Sequence, residues 1–157
     1  MIMKKIRYIP WILAVEAVGA LSGFLSRQAP EFYAQTLEKP PLSPPPAVFP
    51  VVWILLFALM GAGAARIAAS PDSDLRSKAL NLFVIQLVLN FFWSLIFFNV
   101  RAYGLALLWI VILWVFILKM IAAFRAVDPP AALLQIPYLL WVTFAVYLNY
   151  GIWILNG

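Results

Sequence analysis

The segment Phe32–Trp53 reads FYAQTLEKPPLSPPPAVFPVVW, and five of its prolines fall between Pro40 and Pro46. Proline fixes φ and has no backbone N–H to donate, so we expect this segment not to be helical. It is too polar and too interrupted to cross a membrane, yet it ends in Phe49, Pro50 and Trp53, where a long apolar helix is expected to begin. The pattern predicts a semi-rigid, polyproline-like strap across the mouth of a helical bundle.

The composition of the whole chain indicates a protein whose surface is in contact with lipid. Of its 157 residues, 66% are hydrophobic and only 11% are charged, and the mean hydropathy is +0.98. Soluble domains are nearer half apolar and a quarter charged. The sequence has no cysteine and no histidine, which removes thiolate chemistry, the commonest metal ligand and the usual haem ligand. We therefore expect an integral membrane protein.

Apolar runs on either side of the strap predict five transmembrane helices in a single domain, an all-α bundle. Each run approaches or exceeds the ~20 residues that a helix needs to cross a bilayer, and the alternation of a β-barrel is absent. The first run follows Lys4, Lys5 and Arg7, as in a signal peptide, but it is longer than a signal core and contains Glu16. We expect it to be retained as the first span. The predicted spans are about 8–26, 47–69, 78–98, 103–124 and 131–155.

The distribution of positive charge predicts the orientation. Eight of the eleven lysines and arginines lie on the side of the N-terminus and of the second and fourth connections. The positive-inside rule then places the N-terminus in the cytoplasm, and the strap and the C-terminus outside, in a bacterial cell membrane. Topology explains the net charge of +5 better than a nucleic-acid-binding face does.

Polar and aromatic side chains form helical stripes on three of the predicted spans. Gln86, Asn90 and Trp93 recur at steps of three and four on the third span. One interpretation is a cavity with aromatic walls and a few amides that orient a flat ligand. The other is that the amides bond between helices and the aromatic rings are ordinary packing. No paired carboxylates, phosphate loop or activated nucleophile indicates catalysis, so we expect binding rather than an enzyme.

These pieces together resemble one family, the TspO/MBR family of tryptophan-rich sensory proteins, translocator proteins and peripheral benzodiazepine receptors. The matching motifs are Phe32-Tyr33, Leu37-x-Lys39-Pro40, Pro44-Pro45, Phe49, Trp53, Gln86-Leu-x-x-Asn90-x-x-Trp93, Phe97-Phe98 and Pro137-Tyr138-Leu139-x-Trp141-x-x-Phe144-Ala145-x-x-Leu148-Asn149. They occur in the order of the family and span nearly the whole chain.

The resemblance implies a five-helix bundle, often a homodimer, whose first loop closes a pocket for porphyrins such as protoporphyrin IX or for sterol-like molecules. It implies no obligatory cofactor and no metal, and a metal-free tetrapyrrole suits a chain without histidine or cysteine. Carried over by position, the ligand-binding residues are Tyr33, Pro44, Pro45, Trp53, Phe57, Gln86, Asn90, Trp93, Trp141, Ala145 and Leu148.

Three positions depart from the pattern of the family. Phe32 and Leu42 stand where the family often has tryptophan, so we expect any light-dependent breakdown of porphyrin to be weak. Ile154 stands where a sterol-recognition motif needs a basic residue after Leu148 and Tyr150.

The predicted function is a membrane sensor or carrier for tetrapyrroles that regulates tetrapyrrole or stress responses. The alternatives are an enzyme that degrades protoporphyrin in light, and a transporter of porphyrins or sterols.

Overall fold

Five long helices dominate residues 4–157, the part of the chain that the computed structural model describes. All five are long and apolar enough to cross a membrane. The helices are α1 (Tyr8–Leu25), α2 (Ala29–Gln35), α3 (Val48–Ala69), α4 (Asp74–Ser94), α5 (Tyr103–Val127), α6 (Pro129–Leu133) and α7 (Ile136–Asn156). No strand occurs in the described residues, so the predicted all-α, five-span architecture is confirmed.

The loop between α1 and α3, residues 26–47, is called the first loop below; it contains the predicted strap up to residue 47, and the rest of that segment begins α3. Its proline-rich part, from Leu37 to Pro46, is not helical, as expected. The prediction was wrong for Phe32–Gln35, which belongs to the short helix α2. Proline is tolerated in the first turn of a helix, where the N–H has no partner, and Pro30 lies there in α2. The prolines that forbid helix all follow α2 in the sequence.

Capping side chains move several helix ends away from the limits that hydropathy predicts. Helix α4 begins at Asp74 rather than at residue 78, because the Ser73 hydroxyl accepts a hydrogen bond from the backbone N–H of Arg76 at 3.1 Å. Asp128 caps α6 in the same way, accepting from the N–H of Ala131 at 3.3 Å. The fifth predicted span is therefore two helices, and Pro137 lies in the first turn of α7.

Helix α4 widens into a π-helical segment, Leu95–Val100, before it turns into α5. Arg101 ends this segment with a left-handed backbone, φ 59°. The sequence here has no glycine or proline, so the prediction of a regular helix up to residue 98 missed the wider turn.

Close packing of α1 on α3 sets the position of the first helix. A Cβ atom on Gly61 would lie 2.6 Å from the Cα of Ile12, so only glycine permits this approach. The backbone N–H of Lys4 also donates to the carbonyl of Ala69 at 2.7 Å, which ties the N-terminal segment to the end of α3. At the same end, Arg66 and Asp128 form an ion pair at 2.6 Å.

The core lies where α3, α4, α5 and α7 meet, while the outer faces remain apolar. Buried core side chains include Met60, Ile67, Phe83, Ile110, Leu113, Ile117, Met120, Phe124, Tyr138 and Ile152. Large apolar side chains such as Ile9, Leu13, Leu55 and Leu140 are more than half exposed on the outer faces. Such a surface suits a hydrocarbon solvent. The chain is a multi-pass integral membrane protein in contact with the bilayer.

Candidate ligand cavity

A cavity of about 520 Å³ lies beneath the first loop, between α1, α2, α3 and α4. Its walls are mainly aromatic and aliphatic, with a few polar groups. The lining side chains from α2, α3 and α4 include Tyr33, Phe49, Trp53, Ile54, Phe57, Asn90, Trp93, Ser94 and Phe98. A second, much smaller space of about 30 Å³ adjoins it on the side of α7.

Eight of the eleven predicted site residues line one or both spaces. Tyr33, Trp53 and Trp93 line both. Phe57 and Asn90 line only the large cavity. Trp141, Ala145 and Leu148 line only the small one. The aromatic side chains shared by both spaces form the partition between them.

The other three predicted residues lie outside both linings. Pro44 contributes its carbonyl, which accepts a hydrogen bond from the Tyr33 hydroxyl at 3.0 Å. The carbonyl of Pro45 accepts from the N–H of Val48 at the start of α3. Gln86 is fully buried beyond Asn90.

A chain of hydrogen bonds joins Asn90 and Gln86 through α7. The Asn90 Nδ2 donates to the Tyr138 hydroxyl at 2.8 Å, and this hydroxyl donates to the Gln86 Oε1 at 2.7 Å. The Gln86 amide then contacts the sulfur of Met60 at 3.8 Å. Because an unpaired buried amide is costly, these hydrogen bonds fix the orientation of both amides. Of the two, only Asn90 reaches the cavity wall.

Hydrogen bonding and ring contacts also fix the aromatic walls. The Trp93 Nε1 donates to the Asn149 Oδ1 at 3.0 Å, and the Asn149 Nδ2 donates to the carbonyl of Tyr103 at 2.9 Å. On the facing wall, the Trp53 ring packs against Phe57 with 5.6 Å between ring centroids. The rings are therefore held in place as a preformed apolar surface.

The first loop covers the cavity through Tyr33, whose side chain is buried. The Tyr33 ring packs edge-on against Phe49 with centroids 5.2 Å apart. The Lys39 Nζ donates to the carbonyls of Tyr33 and Leu37 at 2.8 and 3.1 Å. Burial raises the pKa of the Tyr33 hydroxyl. Tyr33 thus remains an uncharged phenol at neutral pH.

Two further sets of contacts fasten the first loop to the bundle. The Asn156 side chain at the end of α7 bonds both backbone groups of Glu38, with distances of 3.1 and 2.7 Å. The Tyr147 hydroxyl donates to the carbonyl of Pro41 at 2.6 Å. On the opposite side, the Arg101 guanidinium lies 3.7 Å from the centroid of the Phe32 ring.

Sequence reasoning missed the contribution of α1 to the cavity. Glu16, Gly19, Ser22 and Gly23 all line it. The Ser22 hydroxyl bonds the Ser94 hydroxyl of α4 across the cavity wall. The signal in the sequence is the set of small residues Gly19, Ser22 and Gly23, a pattern that equally suits close packing between helices. Among the described residues, no three acidic side chains gather in a group that could hold a metal ion.

The fold and the cavity define a multi-pass helical membrane protein whose proline-rich loop covers an aromatic-lined cavity. The model of the TspO/MBR family matches residues 11–154, and the chain belongs to this family.

Three relatives show how far the similarity extends. The chain is 40% identical over 141 residues to the tryptophan-rich protein TspO of Chlorobaculum tepidum, with 89% of each chain covered. It is 34% identical over 144 residues to the tryptophan-rich sensory protein of Cereibacter sphaeroides, covering 92% of this chain and 88% of the relative. It is 35% identical over 153 residues to the translocator protein of Bos taurus, covering 92% of this chain and 90% of the relative.

Proposed function

We propose that the protein is a membrane sensor or carrier that binds tetrapyrroles, such as protoporphyrin IX, and other flat hydrophobic molecules. The binding site is the cavity beneath the first loop, and the bound state reports on or regulates tetrapyrrole or stress responses. The names of the relatives, sensory protein and translocator protein, are consistent with a protein that detects or moves a small molecule.

The observation that carries this proposal is the size and lining of the cavity. Its volume of about 520 Å³ falls within the range of small-molecule sites, ~300–1,000 Å³. The rings of Trp53, Phe57 and Trp93 provide faces on which a flat macrocycle can stack. A planar apolar ligand would therefore bury most of its surface without reorganising the helices.

The polar groups of the cavity fit a macrocycle with acidic side chains. Arg27 lines the cavity from the start of the first loop, and its Nη1 donates to the carbonyl of Phe24 at 2.9 Å. A guanidinium has donors to spare for a ligand carboxylate. The carboxylate side chains of protoporphyrin would thus face Arg27 and the exterior, while the macrocycle lies deeper.

The test is a titration of protoporphyrin IX into the detergent-solubilised protein, in the dark, followed by the absorbance of the porphyrin. Replacing Trp53 by alanine removes a lining ring, and we expect the affinity to fall about tenfold. Trp114→Ala is the matched control, because the Trp114 indole bonds Thr143 at 2.8 Å and lines neither space.

The expected result is saturable binding that Trp53→Ala weakens and Trp114→Ala leaves unchanged. Non-saturating uptake, equal in the three proteins, would mean that the porphyrin partitions into the detergent, and the proposal would then be wrong.

We also propose that the N-terminus faces the cytoplasm and the first loop faces the exterior of a bacterial cell. The N-terminal segment and the connection between α3 and α4 lie at one end of the bundle, since Lys4 bonds Ala69 and Arg76 bonds the carbonyl of Ala68 at 2.8 Å. The positive-inside rule assigns this basic end to the cytoplasm.

A further inference from the structure

Glu16 is a carboxylate in the cavity wall that the proposed function does not use. It is the ninth residue of α1, about 12 Å along the helix from Tyr8 at ~1.5 Å per residue. Within residues 4–157, the ion pairs are Arg66–Asp128 and Arg76–Asp72, and neither involves Glu16. An ionisable side chain at the middle of a membrane span is costly and normally has a partner.

Glu16 lies at the end of the cavity farthest from the first loop. Helices α1 and α4 run towards this loop and α3 runs away from it. The deepest lining residues of the three helices are therefore Glu16, Asn90 and Phe57. The bond between the Ser22 and Ser94 hydroxyls sets the register of α1 and α4, and it places Asn90 within about 3 Å, roughly half a turn, of the level of Glu16 along the helices. We call these three residues the floor of the cavity.

The floor presents hydrogen-bond acceptors. Asn90 uses its Nδ2 to donate to the Tyr138 hydroxyl, and this hydroxyl donates onward to Gln86. In the described chain, the Asn90 Oδ1 receives no hydrogen bond from protein, so it remains an acceptor. The Glu16 carboxylate is also an acceptor, and the Phe57 ring, which lines the same cavity and packs against Gly19 of α1, offers a π face.

The cavity is thus polarised along its length, with the Arg27 guanidinium close to the first loop and a carboxylate at the floor. We propose that the floor recognises a protonated nitrogen, and that the cavity selects flat apolar molecules that carry such a nitrogen over neutral molecules of the same shape. This inference rests on the proposed function only in taking the same cavity as a small-molecule site, and it adds a second class of ligand to the tetrapyrroles, whose ring nitrogens are uncharged at neutral pH.

The physical reason is that a ligand cation supplies the partner that Glu16 lacks. A hydrogen bond between a protonated nitrogen and a carboxylate is about twice as strong as a neutral one, and it is stronger still away from water. The face of the Phe57 ring adds a cation–π attraction. A neutral molecule of the same shape would bury the carboxylate and leave it unpaired.

The test compares two flat probes, 9-aminoacridine, which is a cation at neutral pH, and acridine, which is neutral. Fluorescence titrations in one detergent give the affinity of each probe for the wild type, Glu16→Gln, Glu38→Gln and Trp53→Ala. Glu16→Gln keeps the shape of the side chain but removes its charge. Glu38→Gln is the matched control, because its exposed side chain lines neither space.

We expect Glu16→Gln to weaken 9-aminoacridine about tenfold, which corresponds to about 1.4 kcal/mol, and acridine by less than about twofold. Glu38→Gln should leave both affinities unchanged, and Trp53→Ala should weaken both probes. An equal change for the two probes in Glu16→Gln, or no change, would overturn the inference.

The inference and the proposed function can fail separately. Suppose that Trp53→Ala lowers the affinity for protoporphyrin and for both probes, but Glu16→Gln changes the affinities of the two probes equally. The cavity is then the binding site, and Glu16 does not distinguish a charged ligand from a neutral one. Suppose instead that Trp53→Ala leaves the affinity for protoporphyrin unchanged, while Glu16→Gln lowers the affinity for 9-aminoacridine but not for acridine. The tetrapyrrole proposal then fails and the role of Glu16 stands. Failure of 9-aminoacridine to saturate the wild type would also overturn the inference.

Discussion

Single residues decide whether the cavity exists at all, and Gly19 is the clearest case. A Cβ atom at this position would lie 2.5 Å from two carbons of the Phe57 ring. Phe57 is buried against Trp53, so it can yield only by moving into the cavity. The absence of a side chain on α1 is what allows an aromatic wall to stand opposite it.

We predict that Gly19→Ala lowers the unfolding free energy by about 1–2 kcal/mol and weakens protoporphyrin binding. Overpacking costs ~1–3 kcal/mol, and the higher helix propensity of alanine offsets part of it. The thermal midpoint in detergent measures the stability. Gly23→Ala is the control for the stability measurement, since a Cβ atom there meets nothing within 4 Å. Equal thermal midpoints of the two variants would contradict the close contact with Phe57.

At the scale of elements, the first loop is held to α7 as much as to the helices that it connects. Asn156 bonds the N–H and the carbonyl of Glu38, as a neighbouring strand would. A Cβ atom on Gly151 would lie 2.5 Å from the Pro40 ring, so the loop lies directly on the helix backbone. These contacts keep Tyr33 in place over the cavity.

We predict that Asn156→Ala loosens the first loop while the bundle remains folded. The Glu38 amide would lose its acceptor, and we expect its hydrogen exchange to become at least about tenfold faster. Asn81→Ala, on the exposed side of α4, is the control and should leave this amide unchanged. Slow exchange at Glu38 in both variants would show that Asn156 does not fasten the loop.

The five membrane spans could be predicted from the sequence, but the short helix α2 and the π-helical segment could not. Hydropathy located all five spans, because backbone groups in lipid must be paired within a helix. The helix α2 was missed, because the prolines that follow it dominated the interpretation of the whole segment. The π-helical segment Leu95–Val100 carries no local signal, since its shape depends on packing against neighbouring helices.

For the candidate site, the sequence indicated the aromatic walls on α3 and α4 but not the wall that α1 contributes. The resemblance to the family pointed to rings such as Trp53 and Trp93, and both lie in the cavity wall; helical spacing alone left ordinary packing equally open. Helix α1 was missed as a wall of the cavity, because Gly19 and Ser22 contribute space and backbone rather than bulk. Glu16 stood out in the sequence, but its role depends on which residues of α3 and α4 lie beside it.

For the whole molecule, the uneven distribution of Lys and Arg predicts an orientation in the membrane, and cysteine labelling can test it. The sequence has no cysteine, so a single introduced cysteine can be labelled without background. We predict that Leu42→Cys, at a first-loop position that is 83% exposed, reacts with a membrane-impermeant maleimide in intact bacterial cells. Ser73→Cys, in the connection between α3 and α4, should react only after permeabilisation. The reverse pattern would invert the proposed topology.

We propose that a tetrapyrrole occupies the cavity between α1, α3 and α4 beneath the first loop. An experimental structure of the protein with protoporphyrin IX bound would test this proposal. We predict density for the macrocycle against the rings of Trp53, Phe57 and Trp93, within about 4 Å of their atoms. Density only on a lipid-facing surface, with these rings uncovered, would contradict the claim.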